Sequence, residues 1–304
     1  MSRRFLAVVN PAAGGGRCGK LAPAALEKLR AAGIALDVIQ TRAAGDAVEH
    51  VREARRQGYH KFLAVGGDGT AYEIVNGLFP AAAESSAAEE RPVLGFLPLG
   101  TGNSFLRDFT HAGAEHATEA LLAGRTRACD VVRLTHAGGV LHFINLLSLG
   151  FAADVAAVVN RRFKPLGELG YLLGVLICLA RLDRRAFPLR LDGEAELDLR
   201  RCLFLSFNNS KFTGGKMMIA PLAATDDGLL DFVRWGPIGR AGLVRNLPRL
   251  YDGTHLEHPL ASHRSVRRVE FELDGPVNAM VDGESLELDC RTLEVLPGAL
   301  DVMV

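Results

Sequence analysis

The chain has 304 residues, 48% of them apolar and 23% charged, a globular balance that excludes disorder and leaves room for about two domains. Lysine plus arginine equals aspartate plus glutamate at 35 each, so no basic footprint supports a nucleic-acid partner. Five scattered cysteines (Cys18, Cys129, Cys178, Cys202, Cys290) form no CxxC pair, which argues against a disulfide framework or zinc cluster and fits a reducing cytosol. From the start, the chain alternates strand and helix patterns. "RRFLAVVNP" reads as a buried strand and "LAPAALEKLRAAG" as a helix closed by Gly33. "IALDVIQT" is a second strand, "GDAVEHVREARRQG" a helix ending at Gly58, and "KFLAV" a third strand. "TAYEIVNGL" reads as a helix, "VLGFLPLG" as a fourth strand and residues 115–124 as another helix. That alternation predicts a parallel sheet covered by helices.

Beyond about Asp130 the texture turns to strands joined by turn chemistry, interrupted by helices near 155–184 and 238–251. "LHFINLLSLGF", "LRLDGEAELDLRRCLFLSFNN", "GLLDFVRW", "RRVEFELDG", "VNAMVDGESLELD" and "TLEVLP" all fit strand templates. The expected division is an α/β domain over 1–130 and a β-rich domain over 131–304, with "PAAAESSAAEE" (80–90) an exposed loop of the first.

Three glycine runs carry the chemistry. "GGDGT" (66–70) follows the apolar Phe62–Val65 and precedes a helical pattern. Thr70 and Glu73 stand at capping-box spacing. Strand, glycine loop and helix start in that order converge backbone N–H groups on an anion, whereas a hairpin would need a second alternating strand. Asp68 inside such a loop calls for Mg²⁺ or a transferable proton, or else caps its own loop through an Asx turn. "GGGRCGKL" mimics a P-loop, but Leu21 stands where the metal-binding Ser or Thr belongs, which rejects that assignment. What remains is "NPAAGGG" after the first strand, either a ligand loop at the sheet's carboxyl edge or a plain turn. "PLGTGNSF" (98–105) leaves a further strand end, with Thr101 and Asn103 as hydrogen-bonding groups. Three such loops on one edge are far more specific than any one.

With these motifs, the chain resembles the diacylglycerol kinase-type lipid kinases, a group that includes sphingosine and ceramide kinases. "NPAAGG", "TRAAGDA", "GGDGT", "PLGTGNSF", "APLAATDDGLLD" and "VDGE" match in order across nearly the whole chain. The resemblance implies an amino-terminal α/β nucleotide-binding domain of the phosphofructokinase/NAD kinase kind and a carboxyl-terminal β-rich sandwich. It also implies that the end of the chain (about 293–304) returns to the first domain. Asn10, Pro11, Ala12, Ala13, Gly14, Thr41, Gly66, Gly67, Asp68, Gly69, Thr70, Ala71, Tyr72 and Thr101 would then contact ATP. Mg²⁺ would be held by Asp227 with the carbonyls of Ala224 and Leu229, in a turn that without the resemblance reads equally well as a hairpin. "DGE" occurs twice, at Asp192–Glu194 and Asp282–Glu284, in similar local settings. Only Glu284 follows the "DDGLLD" element as the family's motif does, so the resemblance makes Glu284 the base for the lipid hydroxyl. Asp68 would orient that base or a Mg²⁺, although in some relatives this aspartate is described as the base itself. Ser104 departs from the aspartate of many bacterial members, which bears on the acceptor head group.

The implied function is an ATP-dependent lipid kinase acting on diacylglycerol or a related lipid alcohol such as a sphingoid base. The competing readings are an NAD kinase-like phosphotransferase and a non-catalytic nucleotide- or lipid-binding regulator. Phe5–Val9 is too short for a signal-peptide core of about 7–15 residues, and "LGYLLGVLICLARL" (169–182) falls short of the ~18 needed to span a bilayer. A cytoplasmic protein, peripheral at the inner face of the membrane, is expected, with a homodimer left open. The apolar, arginine-flanked 161–185 suits either an interfacial helix or a core helix with solvated basic ends. The nine histidines form no HExxH, and Ser148 and Ser206 lack nucleophile-elbow spacing, so neither zinc catalysis nor a serine hydrolase is expected.

Overall fold

A computed structural model describes residues 4–79, 90–110, 113–163 and 167–304, apart from the side chains of 114 and 167–172. The loop expected at 80–90 lies, except for Glu90, outside the described residues. The chain divides into two compact units, Met1–Val131 with Leu296–Val304, and Val132–Val295.

In the first unit, strands β1 (Phe5–Val9), β2 (Leu36–Gln40), β3 (Lys61–Gly66) and β4 (Val93–Pro98) alternate with helices α1 (Arg17–Ala31), α2 (Asp46–Arg56) and α3 (Asp68–Leu78). Helix α4 (Ala114–Ala123) follows, then β5 (Thr126–His136). The sheet order is β2-β1-β3-β4, all parallel. β1 is buried at every position, which is why its pattern is an unbroken apolar run and not an alternation. Cys18, Ala22, Leu26 and Leu29 of α1 pack on Ala7, Val9, Leu63 and Val65 of the sheet. α1 starts at Arg17, ahead of the expected pattern, because three left-handed glycines (Gly14, Gly15, Gly16) end the preceding loop and Cys18 is already core. Its end is as expected: Gly33 has φ 87°, and its N–H donates to the Arg30 carbonyl.

The second unit adds β6 (Gly139–Phe143), β7 (Leu146–Gly150), α5 (Phe151–Val158), a π-helical turn (Val159–Phe163), α6 (Gly167–Arg181), β8 (Leu189–Leu191) and β9 (Phe204–Asn208). Short β10 (Phe212–Thr213) and β11 (Met217–Met218) precede β12 (Leu230–Trp235), α7 (Arg240–Asn246) and α8 (Arg249–Asp252). β13 (Ala261–Val266), β14 (Arg268–Phe271), β15 (Val277–Val281), β16 (Glu284–Leu288) and β17 (Cys290–Met303) complete the chain. Six strands form the sheet β13-β12-β9-β7-β15-β16. One face packs through Phe207 against Phe271 of β14, which itself pairs with β8 and the start of β17. The other buries Phe204, Val233 and Trp235 against Ile238, Leu243 and Leu250. The end of β17 lies in the first unit, where Asp301 and Val302 pair in parallel with Val93 and Leu94 of β4.

Two expectations fail here. "LHFINLLSLGF" is two strands, broken at Ile144–Asn145. The alternating "EAELDL" forms no strand beyond an isolated bridge between Leu189 and Asp198. Asp198 is committed instead to Arg200 and the buried Arg234.

Candidate active site

The strand order reverses between β1 and β3: the chain goes from β1 outward to β2, then crosses back to β3 and β4. In open α/β sheets such a switch point is where ligands bind, outside the carboxyl ends of the strands. All the glycine loops emerge there. The Asn10 N–H donates to the Val65 carbonyl at 3.0 Å, and the Asn10 side chain accepts from Ala12 N–H at 3.1 Å, so "NPAAGGG" is pinned to the end of β3. The Thr41 N–H and hydroxyl both reach the Val9 carbonyl, at 2.9 and 3.4 Å.

The loops also touch one another. The Gly100 N–H donates to the Gly66 carbonyl at 2.8 Å. A Cβ on Gly100 would lie 2.7 Å from the Gly67 Cα, and one on Gly14 would lie 3.1 Å from the Leu99 carbonyl oxygen. Only glycine allows backbones so close, and Gly14, at φ 62°, also needs the left-handed region. The result is a cradle of main chain from three loops, with no side-chain cap on the first turn of α1 or α3. At α1 loop carbonyls already accept from the Arg17, Cys18 and Gly19 N–H groups, so the anion-facing part is the start of α3 with the backbone cradle around it, which fits polyphosphate.

Asp68 opens α3, half-buried within this cradle. The Ser104 N–H donates to its carboxylate at 2.9 Å, joined by the Ser104 hydroxyl and the Phe105 N–H. Burial pushes the carboxyl above the ordinary aspartate range, and the three hydrogen bonds oppose that rise. Thr70 and Ala71 are buried beneath the loop, so their side chains support it, while Thr101 is exposed and Tyr72 half-buried. The Thr70 hydroxyl is buried with no hydrogen-bond partner among the described residues.

The expected capping box is corrected. α3 begins at Asp68 with Gly67 as its N-cap, so Thr70 lies inside the helix and caps nothing. Glu73 instead reaches the start of α2, accepting from Gly45 N–H at 2.9 Å and Ala47 N–H at 3.1 Å. A carboxylate at a helix N-terminus satisfies orphan donors and the dipole whichever element supplies it. Asp46 in turn accepts from Arg42 and Ala43 N–H groups, which folds the "TRAAGDA" segment after Thr41.

In the second unit, Asp282–Gly283 is the turn of the β15–β16 hairpin, with φ 47° and 89°, and Glu284 is the exposed first residue of β16. Asp282 is buried and accepts from the N–H groups of Ile144, Asn145 and Leu146 at 3.0, 2.9 and 2.9 Å. Those residues join a buried polar network that the sequence reading missed: the Asn209 N–H donates to the Asn145 carbonyl, the Asn209 amide to the Ile144 carbonyl, and the Ser210 hydroxyl to the Asn145 side chain. The signal was "NNS" closing an apolar strand. The other candidate, Glu194, pairs with Arg264 at 2.5 Å. Asp227 lies on an exposed turn before β12, accepting from Leu229 N–H at 2.9 Å, with Ala224 and Leu229 half-buried.

The chain's relatives agree with this geometry. Residues 4–134 match the diacylglycerol kinase catalytic domain, and residues 145–304 match the YegS C-terminal NAD kinase beta sandwich-like domain. The chain belongs to the diacylglycerol kinase-like family of lipid kinases. A probable lipid kinase YegS-like protein of Chromohalobacter salexigens is 34% identical over 91% of this chain and 86% of its own. A diacylglycerol kinase of Mycobacterium tuberculosis is 29% identical over 99% of this chain and 94% of its own. A crystal structure described as a diacylglycerol kinase from Bacillus anthracis shares the fold, with a TM-score of 0.70 at 22% identity, covering 99% of this chain and 96% of its own. No helix among the described residues of this lipid kinase is long and apolar enough to cross a membrane.

Proposed function

We propose that this lipid kinase transfers the γ-phosphate of ATP to the hydroxyl of diacylglycerol or a related lipid alcohol, reached by peripheral contact with a membrane surface. The observation that carries the nucleotide part is the three-loop main-chain cradle at the switch point, where glycine lets the backbones approach closely enough to present N–H groups to a triphosphate. Asn10–Gly14, Thr41, Gly66–Tyr72 and Thr101 bind the nucleotide, with backbone N–H groups stabilising charge on the transferred group. Glu284 accepts the hydroxyl proton, since an alcohol is a poor nucleophile near pH 7 and a positioned carboxylate contributes roughly 10²–10⁴-fold. Asp68, oriented by Ser104 and Phe105, aligns the reacting groups.

The all-oxygen set of Asp227 and the carbonyls of Ala224 and Leu229 suits a hard cation, and the bond from Leu229 N–H fixes the carboxylate on its turn. Mg²⁺ bound there would supply charge neutralisation. The test is incubation with γ-labelled ATP, Mg²⁺, and a panel of lipid alcohols plus NAD. Label in a chloroform-extractable product supports the proposal. Label in NAD alone would replace it with an NAD kinase, and nucleotide binding without transfer would make the chain a regulator.

A further inference from the structure

Helices α2 and α3 both begin at the carboxyl edge of the parallel sheet, after β2 and β3. Each start gathers backbone N–H groups at the positive end of a helix dipole, so each could draw an anion. Of the two, only α3 keeps that capacity. The N-cap of α2 is Gly45, at φ 89° and with no side chain to offer, and a carboxylate from α3 takes its place. One oxygen of the half-buried Glu73 accepts from the Gly45 N–H at 2.9 Å, and the other accepts from the Ala47 N–H at 3.1 Å. A phosphate approaching α2 meets spent donors and a like charge.

The packing ties this cap to the phosphate loop. Gly77 lies on the same face of α3 one turn further on. A Cβ there would stand 2.6 Å from the Val51 Cβ and 2.8 Å from the Val48 carbonyl oxygen of α2. α2 is thus seated on α3 at two successive turns, by charge at Glu73 and by close contact at Gly77. The turn leading into α2 inherits that placement. Asp46 accepts from the Arg42 and Ala43 N–H groups at 2.8 and 3.0 Å, and the Thr41 N–H donates to the Val9 carbonyl at 2.9 Å. Residues 41–47 are therefore indexed to the helix that opens at the phosphate loop. The carboxyl ends of β2 and β3 are two strand spacings apart, about 10 Å. That is within reach of the nucleoside of a nucleotide whose phosphates sit at the start of α3.

We propose that Glu73 is a positioning residue for nucleotide recognition. By occupying the α2 start it directs the phosphates to α3, and by holding residues 41–47 it presents that turn to the uncharged nucleoside. The inference rests on the nucleotide-binding reading above and adds to it a residue outside the glycine loops.

Binding is measured without lipid or turnover, by calorimetric titration of the full chain and its Glu73→Ala and Glu73→Gln variants with ATP and, separately, with inorganic tripolyphosphate. Glu73→Ala weakens ATP by roughly tenfold, the order of one lost charge-assisted hydrogen bond, while tripolyphosphate binds at least as tightly as to wild type. Glu73→Gln keeps the side-chain shape and one accepting oxygen, so it carries the test if the alanine variant fails to fold, and it weakens ATP by a smaller factor. In lipid phosphorylation the same variants raise KM for ATP and keep kcat. An unchanged ratio of the two affinities in both variants, whether or not the thermal midpoint falls, would overturn the proposal. Wild type that binds neither probe would overturn the nucleotide reading and this inference with it. Wild type that binds both, with the split in the variants but no transfer to lipid, supports this inference and removes only the lipid-acceptor part of the proposed function.

Discussion

The two Asp-Gly-Glu turns of the second unit have the same three residues and the same backbone but different surroundings. Asp192 and Gly193 have φ 48° and 76°, against 47° and 89° for Asp282 and Gly283. Each aspartate uses its carboxylate to clamp a neighbouring segment: Asp192 accepts from Arg267 and Arg268 N–H groups, Asp282 from those of Ile144, Asn145 and Leu146. The first clamp is exposed, and its glutamate is neutralised by Arg264. The second is buried in the Asn145–Asn209–Ser210 network and holds Glu284 on a fixed turn. Local sequence sets the turn, and the surroundings differ: Asp282 is clamped inside the unit, whereas the Glu194 carboxylate is tied to Arg264 at the surface.

The comparison breaks or stands first on rate. Glu284→Gln lowers turnover by roughly 10²–10⁴-fold, with the affinity for an ATP analogue unchanged in a fluorescence titration. The next effect is on stability. Asp282→Ala strands three buried N–H donors, at about 1–3 kcal/mol each, so denaturant unfolding shows a loss of about 3 kcal/mol or more. Asp192→Ala exposes two donors to water and costs about 1 kcal/mol or less. Both alanines inherit the same positive φ, so backbone strain cancels between them.

Asp68 gives the third prediction. Its folded carboxyl is raised above the unfolded value by burial. The folded state therefore carries no penalty below the ordinary aspartate range and acquires one as pH rises through it toward the shifted value. Asp68→Asn abolishes turnover yet raises the thermal midpoint at pH 7, the gain disappearing in melts near or below pH 4 (about the ordinary aspartate value). A midpoint that falls at pH 7 would contradict the burial account. Smallest of all is Glu194→Gln: it breaks an ion pair whose side chains are both about half exposed, costing at most about 1 kcal/mol with turnover unchanged.

Much of this was legible in the residues. "FLAVV" and "KFLAV", apolar without alternation and leading into the glycine-bearing "NPAAGGG" and "GGDGT", read as buried strands opening into loops. The convergence of those loops followed from strands that all end on one edge. The capping role of Glu73 was not legible, because its partners Gly45 and Ala47 lie far upstream and a spacing rule sees only its own helix. The alternation of "EAELDL" misled for a related reason: Asp198 finds Arg234 on another strand, and the segment gives up a ladder to reach it. The buried network around Asp282 was visible only as polar residues in apolar runs, and nothing local said that they meet.

The most direct measurement is transfer of label from γ-labelled ATP to diacylglycerol in mixed vesicles by wild type, Glu284→Gln and Glu194→Gln side by side. The account predicts a chloroform-extractable labelled product from wild type and Glu194→Gln at matching rates, and almost none from Glu284→Gln. Equal loss in both variants, or full activity of Glu284→Gln, would contradict it.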